Sequence, residues 1–364
     1  MCITMMELKE NGLVYVSAHN KAADPGVERK VRDFCAAAEN LGFETSLIST
    51  YTKSVKERRE LLEKMLQTDA KYVILRSFNA FNISCRSLLK KARRQGRVLV
   101  LDQPTPMSAI LHEIWERHNP LWKKVLSTLR LLHNGPWGQR VFDRIVQYSH
   151  ESWFFSQGNR GRTILMGNGI DVSRMELRRT DYQDSGVFRL IGVAAKFSPG
   201  HGFDRVVRAM EKLRGSVDVE FELVGEDDGN SIFDLAHRLG IAHKVHFHGL
   251  RDSEYIWDLY SHCNLAVSSL APFRKGLKIA AVLKAREYCL AGIPFIASGE
   301  DPDFGNDVPF RLTVPNDESI EPVVAVLKNF DTYRSKFTDS QIREYAITHL
   351  SYEAKIKQML EGLG

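Results

Sequence analysis

The sequence has no pair of cysteines at the spacing that binds zinc or carries thiol–disulfide exchange. Its five cysteines, Cys2, Cys35, Cys85, Cys263 and Cys289, are scattered and odd in number. That excludes a disulfide framework and a cysteine-based metal site, and it suits a reducing, cytoplasmic setting. Long apolar runs are missing too. No stretch approaches the ~18 residues that a membrane span needs. The opening MCITMMELKENGLVYVSAHN lacks the basic end and apolar centre of a secretion signal. Charge of one sign is scarce: the formal net charge is +5 over 364 residues. That is too little to demand a nucleic-acid partner, and no nucleic-acid reader module occurs. It is compatible with an anionic ligand or an anionic membrane surface.

What is present is a repeated rhythm. GLVYVSA, FETSLIS, YVILRS and RVLVLDQP read as strands. Helical patterns separate them, one stopping at Gly42 and another at Gly96. Such alternation implies a parallel sheet covered on both faces. Between Ile114 and Phe142 the rhythm gives way to a stretch mixing Trp, Leu, Lys and Arg. The polar segment VSRMELRRTDYQDSGV reads as an interdomain linker, and a second strand–helix series follows. The expected fold is α/β, with two Rossmann-like, doubly wound parallel-sheet domains at 1–168 and 188–340. A linker at 169–187 joins them and a helical tail occupies 341–364. Ligands are expected in a cleft beyond the carboxyl ends of the strands.

Three segments are equipped for chemistry. In GVAAKFSPGHGFDRVV a glycine-containing loop joins a strand to a helix, an arrangement that presents backbone N–H groups to phosphate, with Lys196 and His201 to add positive charge. In APFRKGLK, Arg274, Lys275 and Lys278 surround Gly276, which suits a diphosphate. In LKAREYCLAG, Glu287 can accept both hydroxyls of a ribose; the bland alternative is a surface glutamate paired with Lys284 or Arg286. A further cluster, Arg86, Lys90, Lys91, Arg93, Arg94 and Arg97, combines with Trp115, Trp122, Lys123, Lys124, Arg130 and Trp137 into a basic, aromatic face. That face fits anionic headgroups, or is simply a solvated helix surface.

Taken in order, NGIDVSRM, KFSPGHGFDRVV, FELVGEDDGNSIFDLAHRLGIAHKVHFHGL and RKGLKIAAVLKAREYCLAGIPFIAS resemble the retaining glycosyltransferases of family 4 (glycosyl transferases group 1), which have the GT-B fold. The bacterial branch of capsule and O-antigen lipopolysaccharide assembly is the most similar. The resemblance implies transfer of a sugar, with retention, from a nucleoside diphosphate sugar to a lipid-linked glycan acceptor. It also implies a cytoplasmic or peripheral inner-membrane location and a C-terminal helix crossing back to the first domain. It places Lys196, His201, Gly202, Lys275, Gly276 and Lys284 around the donor diphosphate, Leu250 near the base and Glu287 on the ribose, with no metal and no tightly bound cofactor. Catalytic roles would fall to Lys196 and Lys275, which stabilise the leaving group, and to His19 on the acceptor side. The Gly26 backbone, Asp102 and Glu113 would also face the acceptor, while His112 reads as ordinary surface or core.

One position departs from the family pattern. Members carry a second glutamate eight positions before the one matched by Glu287, and here that position is Ile279. The change implies one of three things: an unusual donor sugar with an apolar face, compensation by a neighbour such as Lys278, or a protein that binds nucleotide or glycan without transfer. The fold alone also leaves open a sugar-nucleotide epimerase or a pyridoxal-phosphate-dependent phosphorylase.

Overall fold

The computed structural model describes residues 7–19, 25–50, 54–76, 85–116, 119–133, 135, 138–149, 155, 161–178, 186–229, 231–305 and 307–363. The chain forms two compact units, Met1–Asp171 with Tyr352–Gly364, and Val172–Ser351.

The first unit contains β1 (Lys9–Ser17), α1 (Pro25–Asn40), β2 (Glu44–Ser49), α2 (Val55–Gln67), β3 (Ala70–Arg76), α3 (Arg86–Arg94) and β4 (Val98–Gln103). It continues through α4 (Met107–Glu116), α5 (Leu121–Leu132), β5 (Arg144–Gln147) and β6 (Thr163–Leu165). The strands are parallel, in the order β2-β1-β3-β4-β5-β6. Strand β1 shows why the sheet is covered twice. Its side chains alternate between faces: Val14 and Val16 join Leu61, Leu62 and Leu89 of α2 and α3, while Leu13 and Tyr15 join Val31 and Phe34 of α1. The helix at the C-terminal end of the chain, Tyr352–Glu361, completes that second cluster with Tyr352, Ile356 and Met359.

The second unit contains β7 (Phe188–Lys196), α6 (Phe203–Lys212), β8 (Val219–Glu226), α7 (Ser231–Arg238), β9 (Val245–Gly249), α8 (Ser253–His262) and β10 (Leu265–Val267). Then come α9 (Leu283–Ala291), β11 (Phe295–Ser298), β12 (Arg311–Val314), α10 (Glu321–Lys328), α11 (Phe330–Arg334) and α12 (Asp339–Tyr345). The order is β12-β11-β10-β7-β8-β9, again parallel. From β7 the chain moves outward through β8 and β9. It then returns to lay β10 against the other side of β7. The switch point between β7 and β10 is where open sheets of this kind bind ligands.

The tail divides differently from the expected 341–364. Helix α12 stays with the second unit, where Arg343 donates to the carbonyls of Leu290 (2.7 Å) and Met175 (2.6 Å). Only the segment from Tyr352, with the helix Tyr352–Glu361 as α13, belongs to the first. Part of the expected linker, residues 179–185, lies outside the described residues. The part before it is packed structure: Arg178 is buried and donates to the carbonyls of Tyr260 and Cys263 (2.7 and 2.6 Å).

Candidate donor site at the switch point of the second unit

Residues 197–202 leave β7 and residues 268–276 leave β10, and the two loops are joined through their backbones. Leu270 N–H donates to His201 O (2.9 Å) and Ala271 N–H to Gly200 O (3.2 Å). Gly202, at the entry to α6, has φ +67°, and a Cβ there would lie 2.8 Å from Leu270 Cβ. Both the left-handed backbone and the close approach therefore require glycine. Two arginines brace the loops. Arg205 is fully buried and donates to the carbonyls of Leu270, Pro315 (3.4 Å) and Ser319 (2.6 Å). Arg274, expected to line the ligand, instead grips Asp204 through both terminal nitrogens (2.8 and 2.9 Å) and Glu318 through Nε (2.8 Å).

Three donors converge on this scaffold. The stem of Lys275 lies over Gly200, where a Cβ would come within 2.8 Å of Lys275 Cε. Lys284, on the first turn of α9, holds its ammonium 5.0 Å from the centroid of the Phe203 ring. That nitrogen is buried and has no hydrogen-bond partner among the described residues. Burial, then the charge of Lys275, lowers its pKa to about 7. His201 stacks on the same ring, with centroids 5.3 Å apart and planes at 28°. Its Nδ1 accepts the N–H of Ser198 (3.1 Å), which leaves the ring proton on Nε2. Burial, reinforced by Lys284 and Lys275, holds its pKa down at about 3. The charge expected on His201 is therefore absent, and the ring is a neutral donor. Two lysine nitrogens, one imidazole N–H and the positive end of α6 suit a polyanion better than a single carboxylate.

The other expected residues divide. Glu287 is half-buried on α9, three residues beyond Lys284 and so on the same helix face. Leu250 follows β9 at the carboxyl edge of the sheet and is exposed. Lys196 ends β7, is exposed and is paired with Asp228, whose hydrogen bond raises its pKa. The Gly276 N–H donates to Phe273 O (2.8 Å), so the amide expected to reach the diphosphate is already used. Ile279 is only 4% exposed, so it offers a sugar neither a carboxylate nor an apolar wall.

In the first unit, His19 uses both ring nitrogens, Nδ1 with Ser17 Oγ (2.9 Å) and Nε2 with Glu28 Oε2 (2.8 Å). Asp102 is buried and accepts from Tyr15 OH and Arg76 Nη1 (2.6 Å each), with Lys30 Nζ at 3.6 Å. Burial pushes its pKa up, but Lys30 and Arg76 outweigh burial and hold the carboxyl well below its usual range. This buried network of tyrosine, lysine, arginine and aspartate was not legible in the sequence, because its members lie far apart along the chain. Gly26, His112 and Glu113 are exposed on α1 and α4. Arg97 leaves the expected basic face: it is buried, donating to the carbonyls of Ala70 (2.7 Å) and Leu66 (3.2 Å). Trp137 lies outside the described residues.

A family model described as "Glycosyl transferases group 1" matches residues 181–300, roughly a third of the chain, and that span holds Lys196, His201, Gly202, Leu250, Lys275, Lys284 and Glu287. No curated protein matches the sequence. Among solved structures, sucrose-phosphate synthase from Thermosynechococcus elongatus is 15% identical with a TM-score of 0.64, covering 96% of this chain and 97% of that one. HepE from Anabaena, solved in complex with UDP and glucose, is 17% identical with a TM-score of 0.59, covering 96% and 99%. The lipopolysaccharide outer core galactosyltransferase WaaB in its apo form is 11% identical with a TM-score of 0.60, covering 97% and 99%. The chain thus has the two-domain, Rossmann-like GT-B fold of these glycosyltransferases, and residues 181–300 carry the group 1 glycosyltransferase signature.

Proposed function

We propose that the protein transfers a sugar from a nucleoside diphosphate sugar to a glycan acceptor. The observation that carries this reading is the buried ammonium of Lys284, which has no hydrogen-bond partner among the described residues, beside Lys275 and the Nε2–H of His201. A buried cation beside a second cation, with no buried counter-charge among the described residues, is costly in the absence of ligand, and a diphosphate removes that cost. As the bond between the anomeric carbon and the phosphate oxygen breaks, its electron pair goes to the diphosphate. These three donors stabilise that growing charge. The acceptor hydroxyl adds to the anomeric carbon from the same face, giving retention, and its proton passes to the leaving phosphate oxygen. The group 1 match and the two neighbours titled with UDP or galactosyl transfer support the donor class. Replacing Lys275 and Lys284 together by alanine is expected to abolish donor turnover; an unchanged rate in that variant contradicts the assignment.

The finer reading is a lipid-linked acceptor in cell-surface polysaccharide synthesis. Helix α5 supports it. Leu121, Trp122, Val125, Leu126 and Leu129 are all exposed and fall on one helical face, with Trp115 of the adjoining α4 also exposed. Lys123 and Lys124 sit over Trp122 and Trp115 (5.4 and 5.9 Å). An apolar face ringed by cations suits the boundary layer of an anionic bilayer. Among the described residues no helix is long and apolar enough to cross a membrane, so this contact would be peripheral. The protein is expected to sediment with vesicles containing anionic phosphatidylglycerol, and Trp122→Asp to abolish that; equal sedimentation of both proteins contradicts it.

A further inference from the structure

The donor reading leaves a gap next to the diphosphate site. Beyond Lys275 the chain runs through Lys278 to Ile279, whose side chain is buried. A sugar attached to the diphosphate needs acceptors for its hydroxyls, and the side chains of Lys278 and Ile279 offer none. The neighbouring strand end supplies one. Ile279 and Glu300 are bridged in parallel register. Ala280 N–H donates to Glu300 O, and Glu300 N–H to Lys278 O (2.9 Å each).

Glu300 is held at this place from both sides. Before it, Gly299 has φ +73°, and a Cβ there would lie 2.8 Å from Lys278 O, so only glycine allows the two segments to approach. Arg311 Nη2 donates to Gly299 O (2.5 Å). After it, the fully buried Arg286 clasps Asp301 through both terminal nitrogens (2.5 and 2.6 Å) and also bonds Asp303. Arg286 stands on α9 between Lys284 and Glu287, so one helix fixes the diphosphate donor, the ribose carboxylate and the loop that carries Glu300. The Glu300 side chain itself is exposed and makes no hydrogen bond or ion pair with the described residues.

We propose that Glu300 orients the donor sugar, its carboxylate accepting hydrogen bonds from adjacent sugar hydroxyls in place of a carboxylate at position 279. A carboxylate has two oxygens and only acceptor capacity, which matches a vicinal diol. The donor is accordingly a sugar with free neighbouring hydroxyls, and the apolar, deoxy-sugar reading of Ile279 is set aside. This inference rests on the donor-site reading above.

The test separates the two. Wild type and Glu300→Gln are titrated by calorimetry with UDP, GDP and dTDP, then with the hexose derivative of whichever nucleotide binds. Circular dichroism melting confirms that the variant folds. We expect nucleoside diphosphate affinity to stay within about twofold of wild type, and kcat/KM with the sugar nucleotide to fall roughly 10- to 100-fold, the scale of a lost charged hydrogen bond. Glu300→Asp should retain part of the activity. A deoxy donor lacking one of the bound hydroxyls should narrow the difference between wild type and Glu300→Gln. Unchanged kcat/KM in Glu300→Gln overturns the proposal, as does an equal loss of affinity for the nucleotide and its sugar. If wild type binds no nucleotide at all, the donor-site reading fails first and this proposal with it.

Discussion

Replacing Lys284 by methionine is expected to weaken sugar-nucleotide binding roughly 10- to 100-fold, as for loss of a hydrogen bond to a charged group. The same change is expected to raise the melting temperature of the ligand-free protein. Both effects come from one cause. The Lys284 nitrogen is buried with no hydrogen-bond partner among the described residues, and its pKa is lowered from 10.5 to about 7 by burial and then by Lys275. Between those two values the unfolded chain holds a proton that the folded chain does not. Stability of the ligand-free protein therefore rises with pH across that window, and Lys284→Met should remove its share of that rise, the remainder coming from Lys30, whose pKa burial also lowers to about 7. Ligand binding has the opposite sign. A diphosphate favours the ammonium form, so above about pH 7 a proton must be taken up on binding, and affinity falls by up to about tenfold per pH unit. A nucleotide sugar is the better probe than free UDP, because its diphosphate does not itself titrate near neutrality. Calorimetry between about pH 6 and about pH 8.5 in two buffers of different ionisation enthalpy reads both affinity and proton uptake. A pH-independent affinity with no proton uptake contradicts this role for Lys284.

Arg286→Leu is expected to cost about 3–5 kcal/mol of stability, the scale for removing one partner of a buried ion pair. Arg286 is fully buried, and Asp301 is nearly so; with Asp303 they form a three-membered cluster inside the second unit. Burial disfavours the guanidinium charge, but Asp301 and Asp303 outweigh it and raise its pKa. Leucine fills much of the volume yet leaves two carboxylates without their donor. The expected signature is a large fall in the urea midpoint with an unchanged slope. A shift below about 1 kcal/mol, the scale of an exposed pair, would show that the cluster is solvated. Simultaneous replacement of Arg286, Asp301 and Asp303 by apolar residues should recover part of the loss, since a buried ion pair and a well-packed apolar substitute are often close in energy.

These two residues also mark what the sequence could and could not convey. Strands such as LVYVSA and YVILRS declare themselves as apolar runs because a parallel sheet buries both faces. The loops at Gly202 and Gly276 were visible as glycines beside cations at strand ends. The roles of the arginines were not. Arg205, Arg274, Arg286 and Arg97 look alike in a sequence, whether they meet a ligand or brace a loop. Arg274 is committed by Asp204 and Glu318, which lie 70 and 44 residues away along the chain. The charge state of His201 is hidden from the sequence for a related reason. Its protonation is set by burial and by two lysines, one of which, Lys284, is delivered by a helix more than 80 residues later. Phe203, which carries both the His201 ring and the Lys284 ammonium, gave no signal beyond an apolar residue in an amphipathic helix. Glu300 became visible only through its pairing with Ile279.

The central claim is that the switch point of the second unit is a nucleoside diphosphate site. Titration of the purified protein with UDP, GDP, dTDP and CMP, followed by thermal stability, tests it most directly. The account predicts that one nucleoside diphosphate stabilises the protein, by about 2.7 kcal/mol at 100 times its dissociation constant, and that Lys275→Ala removes most of that shift. No stabilisation by any of the four, or the same shift in Lys275→Ala as in wild type, would contradict it.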